Sequence, residues 1–472
     1  MPLRAKITNP EMSRKFATST DIPREQPGDE DKDVLFSTKY GVRTIELNRP
    51  KKLNSLNGSM ARKIVPRLAE WEKSQMANVV VIKGAGRAFC AGGDVAALAV
   101  DNQNGPEGQQ RSKDYFALEY KLDHYIATYP KPYVAFMDGI TMGGGVGLSV
   151  HAPFRIATEK TVFAMPETTI GFFPDVGASF FLPRMDGETG TYLALTSEQL
   201  KGVNRYCDPL HRQHLLPDLE ARLSELDFKD YTPLQERLRI IDQTIEEFTT
   251  GLPHDQPMQL TANIRQAIDY IFQPRHSVND IINELSRTAE HPDVPEEVKS
   301  WAAKTRQTII SRSPTSVKVT LRQLRSGGHW NIAETFQQEH HIASKFMEHP
   351  DFVEGVSARL IRKPAETPKW TPATLDEVDD AAVDAFFSKS PELALLKSGS
   401  EASFSHYPHA WIGLPREVEV ENLVRDGNVS DRAAVVAHFV REKNGKMGVR
   451  EKVQEILERR TEERQGGGLQ WR

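Results

Sequence analysis

The sequence predicts an α/β fold with a parallel sheet, followed by a mainly helical region. Three observations carry that prediction. Val79-Val80-Val81-Ile82 and Tyr133-Val134-Ala135-Phe136 are short, continuous apolar runs, the mark of strands buried on both faces. Glycine-rich turns and helix-compatible segments follow them, giving a strand, turn, helix succession. From about Thr196 the strand signals stop, and leucines and isoleucines recur at helical spacing.

The elements can be justified in order. Val34-Leu35-Phe36 and Gly41-Val42-Arg43-Thr44-Ile45-Glu46-Leu47 read as two strands around a Lys39-Tyr40-Gly41 turn. Asn48-Arg49-Pro50 closes the second, and Asn54, Asn57 and Gly58 carry turn chemistry. Met60, Ile64, Leu68 and Trp71 mark a helix, in which Pro66 predicts a kink or a broken first turn. After the buried strand at Tyr133 come Gly139 and Gly143-Gly144-Gly145, then Phe154-Arg155-Ile156-Ala157 and Val162-Phe163-Ala164. Leu219, Leu223 and Leu226 share a helical face, as do Ile264, Ile268 and Ile271. Ser313-Pro314 pairs an N-cap with a helix-starting proline. Prolines crowd 363–375 and mark a boundary.

This divides the chain into a basic, then acidic N-terminal tail (1–33), a core with the active site (34–200), a helical region completing the fold (201–375) and a charged C-terminal extension (376–472). The end of the extension, 441–464, mixes Arg/Lys with Glu and reads as a solvated helix. Residues 1–20 hold Arg4, Lys6, Arg14 and Lys15 against one acid, Glu11. An organellar transit segment and an ordinary disordered tail both have that composition, and both readings stand.

Composition excludes several classes. The 472 residues are 39% hydrophobic and 26% charged, a globular balance, and are enough for two or three domains. No apolar run of about 18 residues offers a membrane span. A net charge of −5 argues against a strongly basic surface that coats nucleic acid. Two cysteines, Cys90 and Cys207, make neither a disulfide framework nor a Cys-rich zinc site, and fit a reducing compartment. His340, His341 and His349 read as core or bridging residues, and no His/Cys/Asp spacing suggests a metal.

Three segments carry chemistry: Arg87 to Asp94, Asp138 to Gly147, and Phe163 to Gly177. Glycine lets a backbone N–H approach a substrate without a side chain in the way. Two such loops can place two amides on one carbonyl oxygen, although each loop alone reads more readily as a tight turn. The glycines match neither a phosphate-binding P-loop nor a dinucleotide fingerprint, and there is no Gly-x-Ser-x-Gly elbow. Glu167 and Asp175 lie in otherwise apolar company. Burial there raises a carboxyl pKa and suits base or nucleophile work near neutral pH, while a capping or turn role remains the plainer alternative.

Taken in order, NRP at 48–50, AFCAGGD at 88–94, DGITMGGGVGLS at 138–149 and FAMPET at 163–168 resemble the crotonase (enoyl-CoA hydratase/isomerase) superfamily. The run from Phe163 to Arg184 is similar to the 3-hydroxyisobutyryl-CoA hydrolase branch almost throughout, and Asp351 to Val356 resembles the superfamily's C-terminal helical region. The resemblance covers about 34–375 and implies a ββα superhelix core. It also implies that the Gly93 and Gly144 amides form an oxyanion hole, that Glu167 is the catalytic carboxylate, and that Asp175 orients or activates water. Glu119 matches a substrate-contacting acid, alongside Gly144, Glu167 and Asp175. The adenine end of coenzyme A is expected along 88–94. Coenzyme A is then part of the substrate, and no separate cofactor or metal is expected.

Hydratases of the superfamily carry a second glutamate where this chain has Gly147, so the resemblance favours thioester hydrolysis over hydration. The implied substrate is 3-hydroxyisobutyryl-CoA of valine breakdown, in the mitochondrial matrix. Whether Glu167 attacks directly or acts as a base stays open. Fungal proteins resembling this branch are constituents of the mitochondrial small ribosomal subunit. A structural role through the termini, with or without retained activity, is therefore the alternative reading. Residues 203–214 and the length beyond 376 depart from the family pattern.

Overall fold

The computed structural model describes residues 22–202, 212–229, 231–250, 260–388, 393–396, 403–427, 429, 431–463 and 468–472. The transit-like stretch 1–20, Cys207 and most of 203–214 lie outside the described residues.

The core is built by alternation between two sheets. Strands β1 (Val34–Lys39) and β2 (Val42–Leu47) form a hairpin whose turn places Tyr40 at φ +48°. Helix α1 (Gly58–Lys73) follows, its first turn capped by the Asn57 side chain accepting from Met60 N–H. It runs unbroken through Pro66, so the proline does not end the helix or break its first turn. One backbone bond is lost there, but Ile64, Val65, Leu68 and Trp71 are buried around it, and packing outweighs local propensity. Next come β3 (Val79–Gly84) and β4 (Ala88–Cys90), helices α2 (Val95–Asn102) and α3 (Pro106–Ala127), then β5 (Tyr133–Met137), β6 (Ile140–Met142) and α4 (Gly144–Val150). The sequence then gives β7 (Phe154–Ala157) and β8 (Val162–Ala164). One sheet is ordered β1-β2-β3-β5-β7, and from β3 onward alternate strands go to another, β4-β6-β8, which β9 (Leu200–Lys201) closes. Within each series the neighbours from β2 to β7 and from β4 to β8 are parallel. Each strand pair thus advances the chain one step along a ββα spiral.

Strand alternation explains why the apolar runs are continuous. Val80 and Ile82 pack with Ile64 and Leu68 of α1, whereas Val79 and Val81 face Leu219, Leu223, Leu238 and Ile241. Those last four lie on α7 (Leu216–Ser224) and α8 (Leu234–Glu246), which follow α5 (Ala178–Phe181) and α6 (Thr189–Thr196). Helices α9 (Ala262–Ile271), α10 (Val278–Glu290), α11 (Glu296–Ile310) and α12 (Pro314–Gly327) share a second apolar cluster with α6. The Ser313 side chain caps α12, as its position before Pro314 predicts. Helices α13 (Ile332–Glu348) and α14 (Pro350–Val356) fold back over α3 and α2. An aromatic cluster there includes Phe116, Phe172, Phe173, Phe336, Phe346 and Phe352.

Beyond 376 the chain behaves in two ways. Val378 and Val383, with α15 (Asp380–Asp384), Phe386 and Leu393, complete the aromatic cluster of the core. Helices α16 (Glu417–Arg425), α17 (Arg432–Glu442) and α18 (Val449–Arg460), with the hairpin β10 (Thr461–Glu463) and β11 (Leu469–Trp471), enclose a cluster of their own. Helix α18 is not the solvated helix its charges predict. It buries Val453, Ile456 and Leu457 along with Lys452, Glu455 and Arg459. The buried charges find opposite partners on the core, a pairing invisible in local sequence.

Candidate active site

Two strand-to-loop junctions supply the glycines. Gly93 follows β4 and forms a parallel bridge with Leu56, while Gly144 opens α4 directly after β6. The preceding residues, Gly92 and Gly143, take φ +109° and +45°, values only glycine adopts without strain. They swing the next amides outward: neither the Gly93 nor the Gly144 N–H is taken by a hydrogen bond among the described residues. The two glycines are neighbours, for a Cβ placed on Gly144 would sit 3.3 Å from Gly93 N and overlap Glu119 Oε1. A Cβ on Gly143 would sit 3.0 Å from Glu167 Oε1. Gly93, Gly144, Glu119 and Glu167 thus line one small space.

Asp175 borders it. The Tyr120 hydroxyl, one residue after Glu119 on α3, donates to Asp175 Oδ2 at 2.7 Å. Burial is the chief cause that raises every carboxyl here: Glu119, Asp123 and Glu167 well above their usual range, and Asp175 to about 7, with Tyr120 opposing that rise. The Asp175 charge adds to the rise at Glu119, Asp123 and Glu167. Glu119 Oε1, Glu167 Oε2 and both Asp123 carboxyl oxygens are buried without a hydrogen-bond partner. Such groups stay protonated until substrate or water solvates them.

The loop bearing Asp175 is held from behind by residues that sequence reasoning missed. Glu339 of α13 accepts from Gly177 N–H (2.7 Å), Ser179 N–H (2.9 Å) and the Ser179 hydroxyl (2.6 Å). Gln323 of α12 donates to Pro174 O and to Ser179 Oγ. His151 Nε2 bonds Val176 O at 2.9 Å, while its Nδ1 bonds the Tyr407 hydroxyl at 2.8 Å. Only Glu339's place on an apolar helical face hints at such a role in the sequence.

Gly147 is filled space. A Cβ there would meet the Asp123 carboxyl and Val176 Cβ at 2.8 Å, so no second glutamate can stand at this point. Cys90 is buried and free, its thiol pushed up to about 12 by burial. His340 packs its ring edge against Tyr120, His341 is buried, and His349 caps α14. Among the described residues no side-chain group could hold a metal, and no helix is long and apolar enough to cross a membrane.

A two-sheet ββα spiral with paired glycine amides over a buried glutamate defines a crotonase-type protein. The chain belongs to the enoyl-CoA hydratase/isomerase family, whose model matches residues 42–387. It is 51% identical to small ribosomal subunit protein mS47 of Neurospora crassa over all of this chain and 94% of that one. It is 42% identical to the mitochondrial 3-hydroxyisobutyryl-CoA hydrolase of Danio rerio over 76% of this chain and 90% of that one. Among solved structures, a carnitinyl-CoA dehydratase from Mycobacterium thermoresistibile aligns with a TM-score of 0.66 at 34% identity, covering 77% of this chain and 99% of that one. By this kinship the chain is mitochondrial.

Proposed function

We propose that the protein hydrolyses a short hydroxyacyl-CoA thioester, 3-hydroxyisobutyryl-CoA, in the mitochondrial matrix. The observation that carries the reading is the pair Glu167 and Asp175 beside two uncommitted glycine amides, with Gly147 closed to a second glutamate. The thioester carbonyl oxygen accepts from Gly93 and Gly144 N–H, which hold the negative charge that develops on it. Glu167 acts on the carbonyl carbon or on the water that attacks it. Asp175, steered by Tyr120, orients that water, and Glu119 borders the bound acyl group. The C–S bond breaks and coenzyme A leaves as a thiol. Coenzyme A is part of the substrate, and the chemistry uses no further cofactor.

Purified protein given 3-hydroxyisobutyryl-CoA should release free thiol. Glu167→Gln should lower that rate by at least about 10³ while the melting temperature stays within a few degrees. A folded wild type that releases no thiol overturns the reading. A large fall in the melting temperature of Glu167→Gln would make the residue structural.

A second reading, membership of the mitochondrial small ribosomal subunit, has its own support. The mS47 relative aligns over the whole chain, whereas the hydrolase relative spans 76% of it. Native protein should then sediment with small subunits, and removal of 417–472 should abolish this. Free protein in every gradient counts against it.

A further inference from the structure

A cavity of about 590 Å³ lies between the core and the C-terminal helices, lined by His151 and Tyr407, the pair behind the Asp175 loop. Arg155 of β7 and Arg184 after α5 form its inner wall, and the loop 405–416 and Lys452 of α18 its outer wall. A smaller chamber of about 170 Å³ shares Arg155, Phe181, Met185 and Tyr407 with it and is lined further by Phe163 and Leu200. A charged vestibule thus adjoins a mainly apolar pouch.

The vestibule is rich in cations. Arg155, Arg184, Arg416 and Lys452 line it with one carboxylate, Asp186, which Lys452 holds, while Arg416 lies 3.8 Å from Glu419 outside the lining. Arg184 is half-buried, and its guanidinium donates to the carbonyls of Phe180, Gly327, Gly328 and Trp330. No carboxylate pairs with it among the described residues, and burial lowers its proton affinity. His409 Nδ1, in the same wall, is buried without a hydrogen-bond partner. Arg184, held by carbonyls and stacked 3.8 Å over the Phe180 ring but facing no carboxylate among the described residues, and a donor-capable nitrogen left unmet are both answered by an anion. The pouch answers an alkyl group.

We propose that this double chamber binds a small organic anion, a carboxylate or phosphate carrying a short apolar chain, with the head group among the arginines and the chain in the pouch. None of Glu119, Asp123, Glu167 and Asp175 lines either chamber, so the two sites are built from different residues. The proposal does not depend on thioester hydrolysis.

Calorimetric titration of the full chain tests it with three probes: octanoate, octanol and inorganic phosphate. Octanoate should bind saturably at one site, at least about tenfold tighter than octanol, which lacks the charge, or phosphate, which lacks the chain. Arg416→Gln, at the half-exposed rim, should weaken octanoate severalfold. Met185→Trp, which fills the mouth of the pouch, should abolish binding. Glu167→Gln should leave the affinity unchanged, which separates this chamber from the reaction site. Absence of octanoate binding, equal affinity for octanol, or loss of binding in Glu167→Gln overturns the proposal. So does indifference to Arg416→Gln in protein of unchanged melting temperature.

Discussion

Asp175 and Glu339 set the pH behaviour of the molecule. Burial raises Asp175 from 3.8 to about 7 and Glu339 from 4.5 to about 8, so the folded chain keeps protons that the unfolded chain releases. The stability each group contributes is therefore complete below its unfolded pKa and is lost as pH rises through the folded one. The melting temperature should fall as pH is raised from about 5 to about 8. Asp175→Asn should flatten the lower part of that slope and Glu339→Gln the upper part. Melting curves across this range check it, and slopes unchanged in both variants would refute it. If Asp175 works ionised, thiol release climbs with pH over its own titration, opposite in sense to stability. Gly147 makes a separate test of packing. Its Cβ position is occupied by Asp123 and Val176, so Gly147→Ala should cost about 1–3 kcal/mol in denaturant unfolding. A neutral result would mean that the neighbours move freely.

The loop from Pro174 to Ser179 shows how separate elements fix the position of one buried carboxyl, Asp175. Helices α12 and α13 grip it through Gln323 and Glu339, and His151, at the C-terminus of α4, grips Val176 O. The far side of His151 is held by Tyr407, a residue beyond the proline-marked boundary. Tyr407→Phe removes one hydrogen bond and no volume. On the proposed mechanism it should lower kcat for thiol release severalfold with KM nearly unchanged, because Asp175 loses aim while the Gly93 and Gly144 amides stay put. Steady-state kinetics decide: a rise in KM alone would place Tyr407 in substrate binding instead. The same elements show what the sequence makes legible. The strands are legible because Val79 to Ile82 must be apolar on both faces, and the glycine loops because Gly92 and Gly143 need positive φ. Glu339 could not be read, since its partners are backbone amides some 160 positions away in the chain. Helix α18 was misread for the same reason, because its charges are satisfied by Asp186 and Asp269 rather than by water.

At the scale of the molecule, those charges fasten the C-terminal helices to the core. Arg459 is fully buried and reaches Asp269 on α9 at 3.1 Å, Glu417 on α16 at 2.5 Å and Glu455 on α18 at 3.0 Å. Arg460 pairs with the same Asp269 and Glu417, Lys452 holds Asp186, and Lys446 holds Asp242 of α8 at 2.6 Å. The three-helix unit has its own apolar cluster, so the seam is polar while each side is packed. A buried pair is costly to break from one side, because the remaining carboxylates lose their counter-charge without regaining water, a penalty of about 3–5 kcal/mol. Arg459→Met should therefore act at the seam. Amide exchange should quicken in α16, α17 and α18 while β3 and α1 keep their protection. Adding Asp269→Asn to Arg459→Met should restore part of the loss, since Arg460 then answers Glu417 alone instead of two carboxylates. Exchange measured by mass spectrometry distinguishes the outcomes. If protection falls equally in β3 and in α18, the two parts unfold as one cooperative unit, and the seam is core rather than a fastening.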